Sequence, residues 1–143
     1  MRANRSMPRS WVIPELVYPD VREAVAWLCD AFGFAERWTA GEHRAQLAVG
    51  DAAVVVMADD GGGRGTPRSP TITHGVMVRV EDVDAHHARA QLRGVRILDS
   101  PTDLPYGERQ YNAEDLAGHR WTFSQTIADV APEDWGGQSG SAS

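Results

Sequence analysis

The segment Asp20-Val-Arg-Glu-Ala-Val-Ala-Trp-Leu-Cys-Asp-Ala-Phe-Gly33 decides how the rest of the chain is read. Asp20 is a carboxylate N-cap with Glu23 three residues on, the pattern that satisfies the free N–H groups of a first helical turn. Val21, Ala24, Val25, Trp27, Leu28, Ala31 and Phe32 then trace one face at helical spacing, and Gly33 supplies the stop. Working outward, Trp11 to Tyr18 precedes this helix as a strand. Ala35 to Thr39, His43 to Val49 and Ala52 to Ala58 follow as three more, the last two joined by a hairpin turn at Gly50-Asp51. Residues 11–58 thus read as one βαβββ module.

The order repeats downstream. Asp82-Val83 matches Asp20-Val21 at an offset of 62, Ala88 matches Ala26, and Gly94 matches the stop Gly33 after a one-residue gap. Strands are expected at His74 to Val80, Val95 to Leu98, Arg109 to Ala113 and His119 to Gln125. A helix runs from Asp82 to near Gly94, and Asp115 to Gly118 forms the last turn. Residues 72–125 form the second module, and 59–71, rich in Gly, Pro, Asp and Arg, read as a mobile surface connection. Residues 1–10 are an N-terminal arm and 126–143 a tail. The expected fold is α+β: one domain over 11–125, with two tandem βαβββ modules forming paired curved mixed sheets around a cleft. One helix covers only one face of its sheet, so pairing two modules turns the other faces toward a common ligand space.

Composition narrows the function. A chain of 143 residues with 42% hydrophobic and 24% charged residues is ordinary for one globular domain, and no apolar run approaches a membrane span. The first residues carry Arg2, Arg5 and Arg9, but Pro14 and Glu15 interrupt the apolar stretch that a secretory signal needs, so a cytoplasmic location is expected. The net charge of −6 argues against a nucleic-acid partner. All 14 basic residues are arginine, which removes Schiff-base and P-loop lysine chemistry. Cys29 is the only cysteine and falls on the apolar helical face, where it reads as buried filler rather than as a nucleophile.

Two stretches, Ile13-Pro-Glu-Leu-Val-Tyr-Pro-Asp20 and Tyr106-Gly-Glu-Arg-Gln-Tyr-Asn-Ala-Glu-Asp-Leu-Ala-Gly-His-Arg-Trp-Thr-Phe-Ser-Gln125, resemble the glyoxalase/bleomycin-resistance group of the vicinal oxygen chelate superfamily. The second is similar to its final hairpin, where an Asp-x-x-Gly turn precedes the closing strand. The resemblance implies a homodimer and, in metal-dependent members, His, Gln or Glu ligands on the first and last strands of each module. Seven residues before the two capping aspartates stand Ile13 and Gly75, and the closing strands offer Thr122 and Val56 or Met57. None is a usual ligand for zinc, nickel or iron, so no cofactor is expected. The remaining metal candidate is His74, one residue off register, with Glu15 and His43 or His119. It needs a bulge to reach the cleft.

Strand alternation sorts the candidate ligand contacts. Trp121 and Phe123 share a face, read as packing under the second helix, which leaves Thr122 and Ser124 for the cleft. Glu15 and Val17 face it from the first strand, and Met77 and Arg79 from the fifth. Arg109 and Tyr111 share one strand face that is either pocket or surface, and Trp38 is either a rim residue or core. His86 and His87, adjacent on the second helix, read as an exposed pair. The expected function is metal-independent binding of a small molecule, aromatic or antibiotic-like. The alternative is a lyase, isomerase or dioxygenase of the same superfamily that works through His74 and Glu15, or through Glu15 alone as base. Trp135, with Ile127 and Val130, either folds back onto its own domain or meets a second subunit.

Overall fold

The structure, a computed structural model, describes residues 1–59, 61, 65–67 and 72–142. The expected mobility of the 59–71 connection therefore lies largely outside the described residues. The first module runs β1 (Glu15–Tyr18), α1 (Val21–Phe32), β2 (Ala35–Ala40), β3 (Arg44–Val49) and β4 (Ala52–Ala58). The second runs β5 (Val76–Arg79), α2 (Val83–Leu92), β6 (Arg96–Leu104), β7 (Glu108–Glu114) and β8 (Arg120–Thr126). Their mixed sheets have matching orders, β1-β4-β3-β2 and β5-β8-β7-β6, with each first strand parallel to its last. Both helices start as read: Asp20 accepts from the Glu23 N–H and Asp82 from the Ala85 N–H, each at 3.0 Å.

Two strands depart from the sequence reading. β1 begins at Glu15 rather than Trp11, because Pro14 cannot donate to a ladder; Trp11 and Val12 are left 84% and 80% exposed. β6 continues past Leu98 to Leu104 despite Pro101. It is the outermost strand, where proline is tolerated, and its register shifts between Ile97 and Asp99 and again before Thr102.

The helix-bearing faces of both sheets share one core. Leu16, Tyr18, Leu47, Val54 and Val56 of the first module meet Val78, Tyr111, Ala113, Trp121 and Phe123 of the second within a single cluster. Phe32 at the end of α1 lies 4.7 Å, ring centre to ring centre, from Phe123 and 5.6 Å from Trp121. Polar contacts join the modules too. Asp115 accepts from the Tyr18 hydroxyl at 2.5 Å and from the Trp121 indole at 3.0 Å, as well as from the N–H groups of Ala117 and His119 in its own turn. His119 Nε2 bonds the Val17 carbonyl at 2.7 Å. Burial, and after it the Asp115 charge, pushes the Tyr18 hydroxyl far above its ordinary pKa and keeps it a donor.

His86 is not the exposed residue expected. It is half-buried, with Nε2 2.9 Å from the Phe32 carbonyl and Nδ1 2.5 Å from the Tyr111 hydroxyl. A carbonyl only accepts, so Nε2 carries the proton and Nδ1 accepts from Tyr111. His87 is half-buried as well, packed edge-on against the Tyr111 ring, so the pair is not solvent-facing.

The N-terminal arm lies across the opposite face of the first sheet. Arg37 donates to the Gln46 side chain and to the carbonyls of Arg5 and Met7, and the Trp38 indole donates to Ser6 at 3.0 Å. Gln46 also reaches the Ser6 carbonyl, and Ile13 packs on a small apolar cluster of Val17, Val55 and Met57. The tail returns to its own domain. Ile127 donates to the Gly107 carbonyl at 2.8 Å, and the Trp135 ring meets Tyr106 at 5.5 Å. Gly107 has φ of 82°, and a Cβ there would fall 2.3 Å from the Ala128 carbonyl, so this turn requires glycine.

Burial holds the His86 imidazole below its ordinary pKa of 6.5, and the Arg89 charge adds to the effect against the opposing Phe32 hydrogen bond. The unfolded chain therefore takes up the proton first, so stability is full above about pH 6.5 and falls as the pH drops below it. His86→Gln, which keeps a neutral hydrogen-bonding group, is expected to cost about 1–2 kcal/mol at pH 7 and to flatten urea midpoints between pH 7 and 5. Parallel pH profiles for the two proteins would count against this role. Arg37→Ala should free the arm: trypsin cleavage after Arg5 and Arg9 should accelerate roughly tenfold, with about 1–2 kcal/mol lost from global stability. Unchanged cleavage would show that Arg37 does not hold the arm.

Candidate functional site

Strand register assigns each candidate to a face. The open face of the first sheet, away from the shared core, carries Glu15 and Val17, opposite Val55 and Met57, and Trp38 opposite Gln46. Glu15 pairs with Arg44. Val17 is buried in the small cluster under Ile13, and Trp38 is tied to the arm. On the second sheet, Met77 pairs with Thr122 and Arg79 with Ser124, which puts all four on its open face, as read. Met77 is 64% exposed.

Tyr111 and Arg109 fall on the other side. Tyr111 sits opposite Phe123, fully buried in the shared core. Arg109, two residues away on the same face, bonds Asp84 of α2 at 3.0 Å and Asp103 at 2.8 Å. Tyr111 thus lies in neither place expected of it, pocket or surface, because the core under α2 extends across β7.

The open face of the second sheet also holds residues that the sequence reading missed. Thr122 Oγ1 donates to Asn112 Oδ1 at 2.6 Å, and Asn112 Nδ2 donates to Asp99 at 2.9 Å. One step along, Gln110 Nε2 donates to Ser124 at 3.0 Å, and the Ser124 hydroxyl donates to Glu108 at 2.7 Å. Hydroxyls of Ser124 and Thr126 hold the Glu108 carboxyl below its ordinary range, and the Arg79 charge adds to this. The signal was present: the Asp115 turn pairs Glu114 with Arg120, and pairing from there sets Asn112 against Thr122 and Gln110 against Ser124.

The arm and the first sheet enclose a cleft of about 1190 Å³ that opens to solvent, lined among others by Trp11, Ile13, Ala48 and Asp51. It has the scale of a small-molecule site. Metal chemistry does not fit the donor set. Ile13 and Gly75 offer no ligand, and Val17 and Met77 pair with Met57 and Thr122. His74 precedes β5 and is exposed, beside a void of about 10 Å³ shared with Leu16 and His119. Among the described residues no group of three or more His, Cys, Asp or Glu is placed to hold a metal ion.

The fold has known counterparts. TioX from Micromonospora sp. ML1 is 33% identical, with a TM-score of 0.68 over 82% of this chain and 99% of that one. A glyoxalase/bleomycin resistance protein from Streptomyces sp. CB03234 is 25% identical, with a TM-score of 0.61 over 79% of this chain and 97% of that one. A glyoxalase/bleomycin resistance protein/dioxygenase from Nocardioides shares the fold at 17% identity, with a TM-score of 0.70 over 92% of this chain and 89% of that one. No curated protein matches the chain significantly. Residues 11–123 match the family model for the glyoxalase/bleomycin resistance protein/dioxygenase superfamily, a span that takes in both βαβββ modules, and the chain belongs to that superfamily.

Proposed function

We propose that this protein binds a small aromatic or antibiotic-like molecule without metal and without turning it over, as a cytoplasmic homodimer. The observation that carries this reading is the make-up of the open faces. Where metal-dependent relatives place ligands, this chain has Ile13, Gly75, Met57 and Thr122. Around those positions stand Val17 and Trp38 on one sheet and Met77, Thr122 and Ser124 on the other, alongside the charged Glu15, Arg44, Arg79 and Glu108. Such a surface suits a ligand with a flat apolar body and scattered polar groups. Glu15, the one candidate base, stands in an ion pair with Arg44, both side chains partly exposed. No described helix is long and apolar enough to cross a membrane. The exposed Met77 is apolar surface that a second copy would cover.

A panel of aromatic and antibiotic compounds screened by thermal shift should include binders that raise the melting temperature. Thr122→Val and Ser124→Ala should weaken them severalfold, each losing one hydrogen-bonding group at about 1 kcal/mol. Elemental analysis of protein purified without chelator should find no stoichiometric metal. Stoichiometric metal that disappears in His74→Ala would overturn the reading in favour of a metal-dependent lyase or dioxygenase. Light scattering should give twice the 15.6 kDa chain mass, and truncation after Thr126 should leave it unchanged because Trp135 rests on its own domain. A monomer mass at high micromolar concentration would refute the dimer.

A further inference from the structure

We infer that the cleft between the N-terminal arm and the first sheet binds an organic anion, a carboxylate, sulfonate or phosphate carried on a flat apolar body. This rests on the small-molecule reading and adds a separate place to it, since Met77, Thr122 and Ser124 do not line this cleft. The charged residues that line the cleft are Arg2, Arg5, Arg9 and Arg37 against Asp51, a local excess of positive charge in a chain whose net charge is −6.

Several arginines elsewhere stand in ion pairs. Arg44 pairs with Glu15, Arg93 with Asp30, Arg96 with Glu114, and Arg109 with Asp84 and Asp103. Arg2, Arg5 and Arg9 make no ion pair among the described residues, and all three are exposed. Unpaired guanidiniums gathered over a concave surface create a positive potential and offer paired N–H donors to an oxyanion.

The cleft is also built. Arg37 fixes the arm by donating to the carbonyls of Arg5 and Met7, so the arm arginines are held over the sheet. The Ser10 hydroxyl, where the arm returns to the sheet, is buried with no hydrogen-bond partner among the described residues, a polar group beside the cleft with a donor to spare. Apolar surface lies alongside: Trp11 is exposed for stacking, and Ile13, Ala48 and Ala52 line the cleft.

The test uses two probes with one aromatic skeleton, 8-anilino-1-naphthalenesulfonate and the neutral N-phenyl-1-naphthylamine, titrated into the full chain by fluorescence and calorimetry. The sulfonate is expected to bind one per chain, roughly tenfold tighter than the neutral probe, and to weaken as salt rises from about 0.02 M to about 0.3 M. Replacing Arg2, Arg5 and Arg9 together by Gln should weaken the sulfonate roughly tenfold and leave the neutral probe unchanged, with the melting temperature as a folding control. Equal affinity for the two probes, or a sulfonate affinity that survives the triple replacement, overturns the inference while small-molecule binding stands. If neither probe binds and the compound panel gives no thermal shift, the small-molecule reading falls with it.

Discussion

The Gly33 N–H caps the Cys29 carbonyl at the end of α1, and α2 supplies further donors to the last carbonyl groups of that helix. Arg89 donates to the Asp30 carbonyl at 2.9 Å and to that of Cys29 at 3.3 Å, while His86 takes the carbonyl of Phe32. The last turn of α1 has no basic residue, so the positive charge that suits the negative end of its dipole comes from the other module. This clip sets the end of α1 where Phe32 and Phe34 meet Trp121, and the shared core grows from that contact. Once the helix-bearing faces are committed to one another, the opposite faces are left open, and the arm lies across the first of them. The division of each strand between core and site follows from how the two helices are joined.

Much of this was legible in the sequence where the signal is local. Capping aspartates, the stop at Gly33 and the Asp115 to Gly118 turn act over three or four residues, and all three appear as read. Strand ends were less legible. The limit of β1 depends on which backbone N–H groups find partners across the sheet, and the length of β6 depends on its being outermost; neither is written in the strand itself.

The site divided along the same line. Alternation along β8 correctly separated Trp121 and Phe123 from Thr122 and Ser124, because the period of a strand is fixed. Tyr111 could not be placed by alternation alone. Its face is known only once the partner strand and the helix above it are known, and the same holds for His86, whose partners lie 25 and 54 residues away. Docking of the arm was invisible for a related reason. Ser6 meets Trp38 through a backbone carbonyl, which carries no trace of residue type.

The outer strands β2 and β6 bear on how copies of this chain can meet. Both break register with their neighbours, β2 around Arg37 and β6 between Ile97 and Asp99 and again between Asp99 and Thr102, and β6 includes Pro101. A strand with such kinks presents a discontinuous row of donors and acceptors, so another chain cannot continue the sheet by simple strand addition. Side-by-side growth is discouraged along these two edges. Any contact between copies at these edges would have to run through side chains rather than through a continued ladder.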